Sequence, residues 1–124
     1  MARISFRIVL DGGQAIGPGK IALLEGIAET GSIAAAGRTM HMSYRRAWTL
    51  VGELNAMFRT PLVCAQTGGV RGGGALLTAL GRQVVDEYRA LASTIGERAR
   101  ERLEALEDAA SRRPARRARP KTTR

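Results

Sequence analysis

The chain has 124 residues and a formal net charge of +9, with 20 lysine and arginine residues against 11 acidic ones. This length accommodates one small domain with tails. The single cysteine and the single histidine exclude an internal disulfide bond and an ordinary zinc site. The sequence has no apolar run long enough for a membrane-spanning helix and no N-terminal signal peptide. We therefore expect a cytoplasmic protein with no membrane partner, no metal site and no cofactor.

The positive charge is concentrated in two parts of the chain. Residues 38–82 carry six basic side chains and one acidic one, and residues 109–124 carry seven basic side chains and no acidic one. By contrast, residues 83–108 carry four basic and seven acidic side chains. Charge that is segregated in this way favours a polyanionic partner.

Catalysis has little support in the sequence. The titratable residues form no paired carboxylates and no cluster with metal-ligand spacing. His41 is better interpreted as a turn residue than as a base, and Cys64 as a core residue of a strand rather than as a nucleophile. We therefore predict that the protein is not an enzyme.

The N-terminal part of the chain predicts a pair of strands and a helix. Apolar and polar residues alternate from Arg3 to Leu10, which is typical of a half-buried strand. A glycine turn at 11–13 and a short returning strand at 14–16 follow. Residues Lys20 to Thr30 carry an apolar stripe at helical spacing, which predicts a helix that packs under the two helices after it.

Residues 31–58 predict two helices joined by a very short break. Gly31 ends the preceding helix, Ser32 caps a helix over 33–40, and Ser43 caps the next one. The apolar residues of this second helix form one stripe: Ala47, Leu50, Val51, Leu54, Met57 and Phe58. Its opposite side carries Arg45 and Thr49. This arrangement is typical of a helix-turn-helix, whose second helix enters the major groove of DNA; the alternative is an ordinary amphipathic hairpin with solvated arginines.

A glycine-rich hairpin is predicted directly after this helix. The sequence Arg59-Thr60-Pro61 ends the helix, and 62–66 and 75–77 are candidate strands around a glycine-rich tip that carries Arg71. The tip lacks the Gly-Lys-Ser/Thr ending of a phosphate-binding loop. In this position the hairpin is better interpreted as a wing, with Arg71 directed to the minor groove or a phosphate. The alternative is a flexible surface loop.

A long helix and a basic tail are predicted at the C-terminal end. Thr78 caps a helix from Ala79 to about Asp108, whose apolar residues recur every three or four positions. Such a stripe favours pairing with a second copy of the chain, with packing onto its own core as the alternative. The candidate dimerisation residues are Val84, Tyr88, Leu91 and Ile95. Residues 109–124 are predicted to be disordered, and to act either in nonspecific phosphate attraction or as a solubilising tail.

Three motifs in this order identify a resemblance: Gly-Ser-Ile at 31–33, Ser-Tyr-Arg-Arg-Ala-Trp at 43–48, and paired and triple glycines at 68–69 and 72–74. With them, residues 17 to about 90 resemble the N-terminal DNA-binding domain of the ModE family of molybdate-responsive regulators. That domain is a winged helix related to the DNA-binding half of LysR-type regulators. Full-length members of the family sense molybdate through C-terminal oxyanion-binding domains. We expect no molybdate site within this chain.

The resemblance implies a mainly α-helical fold with little β-structure: a winged helix-turn-helix with an N-terminal strand pair and a long C-terminal helix. The expected division is 1–78 for the DNA-binding domain, 79–108 for the dimerisation helix and 109–124 for the tail. The implied function is a homodimeric regulator that binds double-stranded DNA. The candidate DNA-binding residues are Ser32, Ser43, Tyr44, Arg45, Arg46, Thr49 and Arg71. The alternatives are a nonspecific architectural protein that binds nucleic acid and a module whose long helix binds another regulator.

Overall fold

The computed structural model describes residues 1–66 and 74–111. Its elements, in chain order, are β1 (Ile8–Val9), β2 (Ala15–Ile16), α1 (Pro18–Thr30), α2 (Ile33–Thr39), α3 (Tyr44–Met57), β3 (Val63–Gln66), β4 (Gly74–Leu77) and α4 (Ala79–Ser111). The strands form two antiparallel pairs, β1 with β2 and β3 with β4. The predicted fold class, mainly helical with two small strand pairs and a long C-terminal helix, is confirmed.

The N-terminal strand is shorter than its alternating pattern predicts. Only Ile8 and Val9 pair with β2, opposite Ile16 and Ala15 respectively. The connecting turn is closed by a hydrogen bond from the Leu10 amide to the carbonyl of residue 14, at 2.8 Å. Pairing stops where β2 reaches the glycine and proline that start α1, because proline has no amide hydrogen to donate.

The core lies between the inner faces of α1, α2 and α3 and the strands beside them. Its fully buried side chains are Ile16, Ile21, Leu23, Leu24, Ile27, Leu54 and Leu62. Two glycines let the helices approach closely. A Cβ at Gly26 would lie 3.0 Å from the Cβ of Ala36, and one at Gly37 would lie 2.9 Å from the Cβ of Ala47. The predicted packing of the first helix against the next two is therefore confirmed.

The strand β3 is tied to α3 by one side chain. Asn55 Oδ1 accepts hydrogen bonds from the amides of Leu62 and Val63, at 2.8 and 3.0 Å, and Asn55 Nδ2 donates to the Val63 carbonyl at 3.2 Å. Val63 faces the core, so Cys64 points the other way and is exposed. The prediction that Cys64 is a core residue was wrong, because a shift of one residue in a strand exchanges its two faces.

The strand β4 is tied to the junction of α1 and α2. The Ala75 amide donates to the Gly31 carbonyl at 2.9 Å, while Gly74 and Gln66 are partners in the β3–β4 register. A Cβ at Gly74 would lie 2.8 Å from the same Gly31 oxygen. Glycine is therefore required where β4 passes this backbone.

The first half of α4 packs on the domain that precedes it. Thr78 Oγ1 accepts from the Gly81 amide at 3.0 Å, which confirms the predicted N-cap. The Tyr88 ring stacks on Phe6 with centroids 4.5 Å apart, and its hydroxyl donates to the Phe6 carbonyl at 2.6 Å. Val84 also packs against the core. Tyr88 was predicted as a dimer contact; this is corrected, because the domain's own core covers its side chain. Val84 is only partly buried, so its role as a dimer contact stays a prediction.

The chain divides into two compact units. One is Ser5–Leu91, so the compact unit extends past the predicted boundary at residue 78; the other contains Met1–Ile4 and α4 from Ala92 onward. The helix α4 continues through Ser111 and includes residues 109–111, which the sequence assigned to a disordered tail. Residues 112–124, the rest of that predicted tail, lie outside the described residues. Within 1–66 and 74–111, no helix combines the length and the apolar character needed to cross a bilayer.

Candidate nucleic-acid interface

A serine caps the start of each helix of the helix-turn-helix, and the turn between α2 and α3 contains one left-handed residue. Ser32 Oγ accepts from the Ala35 amide, and Ser43 Oγ accepts from the Arg46 amide, both at 3.0 Å. His41 lies between the helices with φ of 60°, which confirms it as a turn residue. Both predicted caps are confirmed. Each serine oxygen acts as an acceptor in its cap, so its hydroxyl hydrogen remains available to an anion such as a phosphate.

The helix α3 hides its apolar stripe and exposes the predicted opposite face. Its buried residues are Ala47, Leu50, Val51 and Leu54, whereas Arg45, Arg46, Thr49, Gly52 and Ala56 are exposed. At about 100° per residue, Arg45 lies near the middle of the exposed face and Arg46 lies on its flank. We call the exposed surface that carries Arg45, Arg46, Thr49, Gly52 and Ala56 the α3 outer face.

The charge on the α3 outer face is predominantly positive. The one carboxylate beside it, that of Glu53, lies 3.6 Å from the Lys20 ammonium group, which offsets its negative charge. Lys20 also donates to the Ala15 carbonyl at 3.2 Å. Arg45 and Arg46, about two turns from Glu53 along α3, are exposed at the N-terminal end of the helix. The N-terminal end of a helix itself favours anions, because its amide groups carry partial positive charge.

Two aromatic side chains are exposed near the same N-terminal end of α3. Tyr44 is 58% exposed and Trp48 is 50% exposed, and their rings meet edge to face with centroids 6.0 Å apart. Tyr44 is a predicted site residue. Trp48 was quoted in the sequence motif but was not proposed as a site residue. The signal was present, because Trp48 lies about 100° around the helix from the buried Ala47 and so falls outside the apolar stripe.

The wing is described only at its base. The strands β3 and β4 pair from Val63 opposite Leu77 to Gln66 opposite Gly74. The predicted tip, including Arg71, lies outside the described residues, so its position relative to α3 remains a prediction. In the described ranges, His, Cys, Asp and Glu side chains form no group of three that could hold a metal ion.

Known proteins match this part of the chain. The family described as "Bacterial regulatory helix-turn-helix protein, lysR family" matches residues 19–82. The molybdenum transport protein ModE of Azotobacter vinelandii is 41% identical over 91 residues, which are 73% of this chain and 33% of that protein. The DNA-binding transcriptional dual regulator ModE of Escherichia coli K12 is 40% identical over 75 residues, which are 60% of this chain and 29% of that protein. The chain therefore spans about a third of the length of these relatives, and its predicted resemblance to ModE is confirmed for that portion.

A solved structure has the same fold. The crystal structure titled CbnR_DBD-DNA complex superimposes with a TM-score of 0.54 at 25% identity, and the match covers 72% of this chain and 95% of that one. The similarity therefore includes nearly all of a chain that was crystallised with DNA.

Proposed function

The chain belongs to the lysR family of bacterial regulatory helix-turn-helix proteins, and from this membership we propose that it is a sequence-specific, DNA-binding transcription regulator. The observation that carries the proposal is the α3 outer face, where Arg45, Arg46 and Thr49 are exposed on a helix that starts directly after a tight turn. The protein acts by binding rather than by catalysis, and it works in the cytoplasm, where the bacterial chromosome lies.

In this proposal α3 enters the major groove with its N-terminal end first. Arg45 projects from the middle of the α3 outer face and pairs with a guanine edge, whose two acceptors match the guanidinium fork. Thr49 lies one turn further along the same face. Ser32, Ser43 and Arg46 contact phosphates on either side, which fixes the register of the helix without reading sequence. Small residues at 52 and 56 leave room for the groove wall.

The regulated genes are proposed to be related to molybdenum. Support comes from the similarity to the ModE regulators of A. vinelandii and E. coli, although this chain covers only 33% and 29% of their lengths.

The protein is proposed to bind DNA as a homodimer through α4. Leu91 is 44% exposed and is followed at helical spacing by Ile95, which is half-buried. Together with the partly buried Val84, these two residues remain of the four predicted dimerisation residues. A Leu91→Asp/Ile95→Asp variant should have the mass of a monomer by light scattering, whereas Gln83→Ala on the same helix should not change the mass. An unchanged mass for the double variant would place the interface elsewhere.

The central experiment compares two arginine variants on DNA. A preferred site is first selected from random duplexes, and affinity is then measured on that site and on a scrambled one. Arg45→Ala should lose about 1–3 kcal/mol on the preferred site and should relax the preference at one base pair. Arg98→Ala, which removes the same charge from an exposed position of α4, should keep the preference. Equal losses on both duplexes would indicate a nonspecific nucleic-acid-binding protein instead.

A further inference from the structure

The aromatic pair on α3 lies outside the hydrophobic core. Tyr44 and Trp48 are 58% and 50% exposed, whereas Tyr88 is 3% exposed and belongs to the core. Leaving large apolar rings in water forgoes the free energy that their burial would contribute. Adjacent exposed rings therefore mark a contact surface more clearly than a single exposed apolar residue would.

We propose that Trp48, held in place by Tyr44, reads the methyl group of a thymine next to the base pair that Arg45 contacts. This inference rests on the proposed function and adds to it a specificity-determining residue of apolar character. The occupant follows from charge as well as from shape, because the exposed N-terminal part of α3 that carries the indole also carries Arg45 and Arg46 and suits a polyanion.

The helix geometry places the indole beside the guanidinium group. Trp48 follows Arg45 by three residues, which is about 4.5 Å along the helix axis and about 60° around it. Successive base pairs are about 3.4 Å apart along the duplex. Two side chains with this separation are close enough to contact neighbouring base pairs.

The Tyr44 ring restricts the orientation of the indole. Its centroid lies 6.0 Å from that of Trp48, and the planes of the rings are inclined at 76°. The two residues are four apart, so they are neighbours on one side of the helix. An indole that is already oriented loses less conformational entropy on binding than one that rotates freely. Tyr44 is therefore a positioning residue for Trp48.

The chemistry of the groove selects thymine. Base edges in the major groove present hydrogen-bond donors and acceptors, and the thymine methyl is the apolar group among them. An indole ring has an apolar face and one N–H donor, and no acceptor. Contact between the indole and the methyl group removes apolar surface of both from water. Deoxyuridine lacks this methyl group, so it would not allow the contact.

The test replaces each thymine of the selected site, one at a time, by deoxyuridine and measures binding by wild-type, Trp48→Ala and Arg45→Ala proteins. At one position, wild-type protein should lose about fourfold in affinity, the equivalent of one buried methyl group. Trp48→Ala should bind thymine and deoxyuridine duplexes equally at that position. Arg45→Ala should keep the thymine preference while losing its guanine preference. Circular dichroism should show an unchanged fold for Trp48→Ala, because the side chain is exposed.

Two results would overturn the assignment of the indole. One is a deoxyuridine effect of the same size in wild type and Trp48→Ala. The other is a uniform loss for Trp48→Ala on every duplex, including scrambled DNA, which would place the indole against the sugar-phosphate backbone. In either case a preferred site with an Arg45-dependent guanine leaves the proposed function standing. Failure to select any preferred sequence would overturn the proposed function and this inference together.

Discussion

Asn55 is the residue through which α3 holds the start of β3, and its replacement tests how this part of the domain is stabilised. Its carboxamide makes three hydrogen bonds, two from the amides of Leu62 and Val63 and one to the Val63 carbonyl. Leu62 is 0% exposed and Val63 is 5% exposed. Their backbone groups therefore have little access to water that could replace the carboxamide.

The cost of Asn55→Ala follows from these contacts. Each hydrogen bond contributes about 1 kcal/mol net, and a buried donor left without a partner costs about 1–3 kcal/mol. Because Asn55 itself is only half-buried, we expect the free energy of unfolding to fall by about 2–4 kcal/mol. Asn55→Asp keeps both acceptor contacts and loses the donor to the Val63 carbonyl, so its loss should be smaller.

Urea unfolding followed by circular dichroism measures these changes, with the slope m expected to stay constant. Gln83→Ala, at an exposed position of α4, serves as the control and should stay within about 0.5 kcal/mol of wild type. A loss for Asn55→Ala no larger than that of the control would refute the reasoning. It would mean that the β3–β4 pair is held against α3 by apolar packing alone.

Three further predictions concern the caps, a close backbone contact and an ion pair. Ser43→Ala should destabilise the protein by about 1 kcal/mol in thermal unfolding, while Ser43→Asp should retain most of the cap. Gly81→Ala should be strongly destabilising, because the added Cβ would overlap the backbone carbonyl of Leu62, just before β3. Gly96→Ala should instead stabilise α4 by up to about 1 kcal/mol, because a Cβ there meets nothing within 4 Å. Equal effects of the two substitutions on stability would contradict this. The hydrogen bond from Arg89 lowers the pKa of Glu25 below its ordinary value. This pair therefore stabilises the fold above that ordinary value, and the stabilisation is lost as the pH falls through the lowered pKa. Arg89→Ala should make the fall in stability on acidification less steep, and an unchanged slope would show that the exposed pair contributes nothing.

The sequence predicted the helix-turn-helix well because its signals are local. The serine caps and the apolar stripe of α3 each depend on residues within a few positions of one another, so the outward direction of Arg45 followed from spacing alone. Trp48 could have been recognised as exposed by the same reasoning.

The long helix shows where such reasoning stops. Periodicity establishes that one side of α4 is apolar, but it does not tell which surface covers that side. Tyr88 is covered by Phe6, a residue 82 positions away in the sequence, whereas Leu91 remains exposed. Asn55 was missed for a similar reason, because a side chain that binds a distant backbone leaves no periodic signal. Whether Cys64 faces the core or the solvent depends on the register of the four-residue strand β3, and the residue types of that strand do not set its register.

The most direct test of the central claim is the protection of guanine N7 from methylation on the selected DNA site, since N7 lies in the major groove. Wild-type protein should protect one guanine strongly, and Arg45→Ala, at concentrations that saturate the DNA, should lose protection at that guanine while keeping protection elsewhere. If Arg45→Ala protects the same guanines as wild type, or if the wild type protects none, the α3 outer face does not read the major groove.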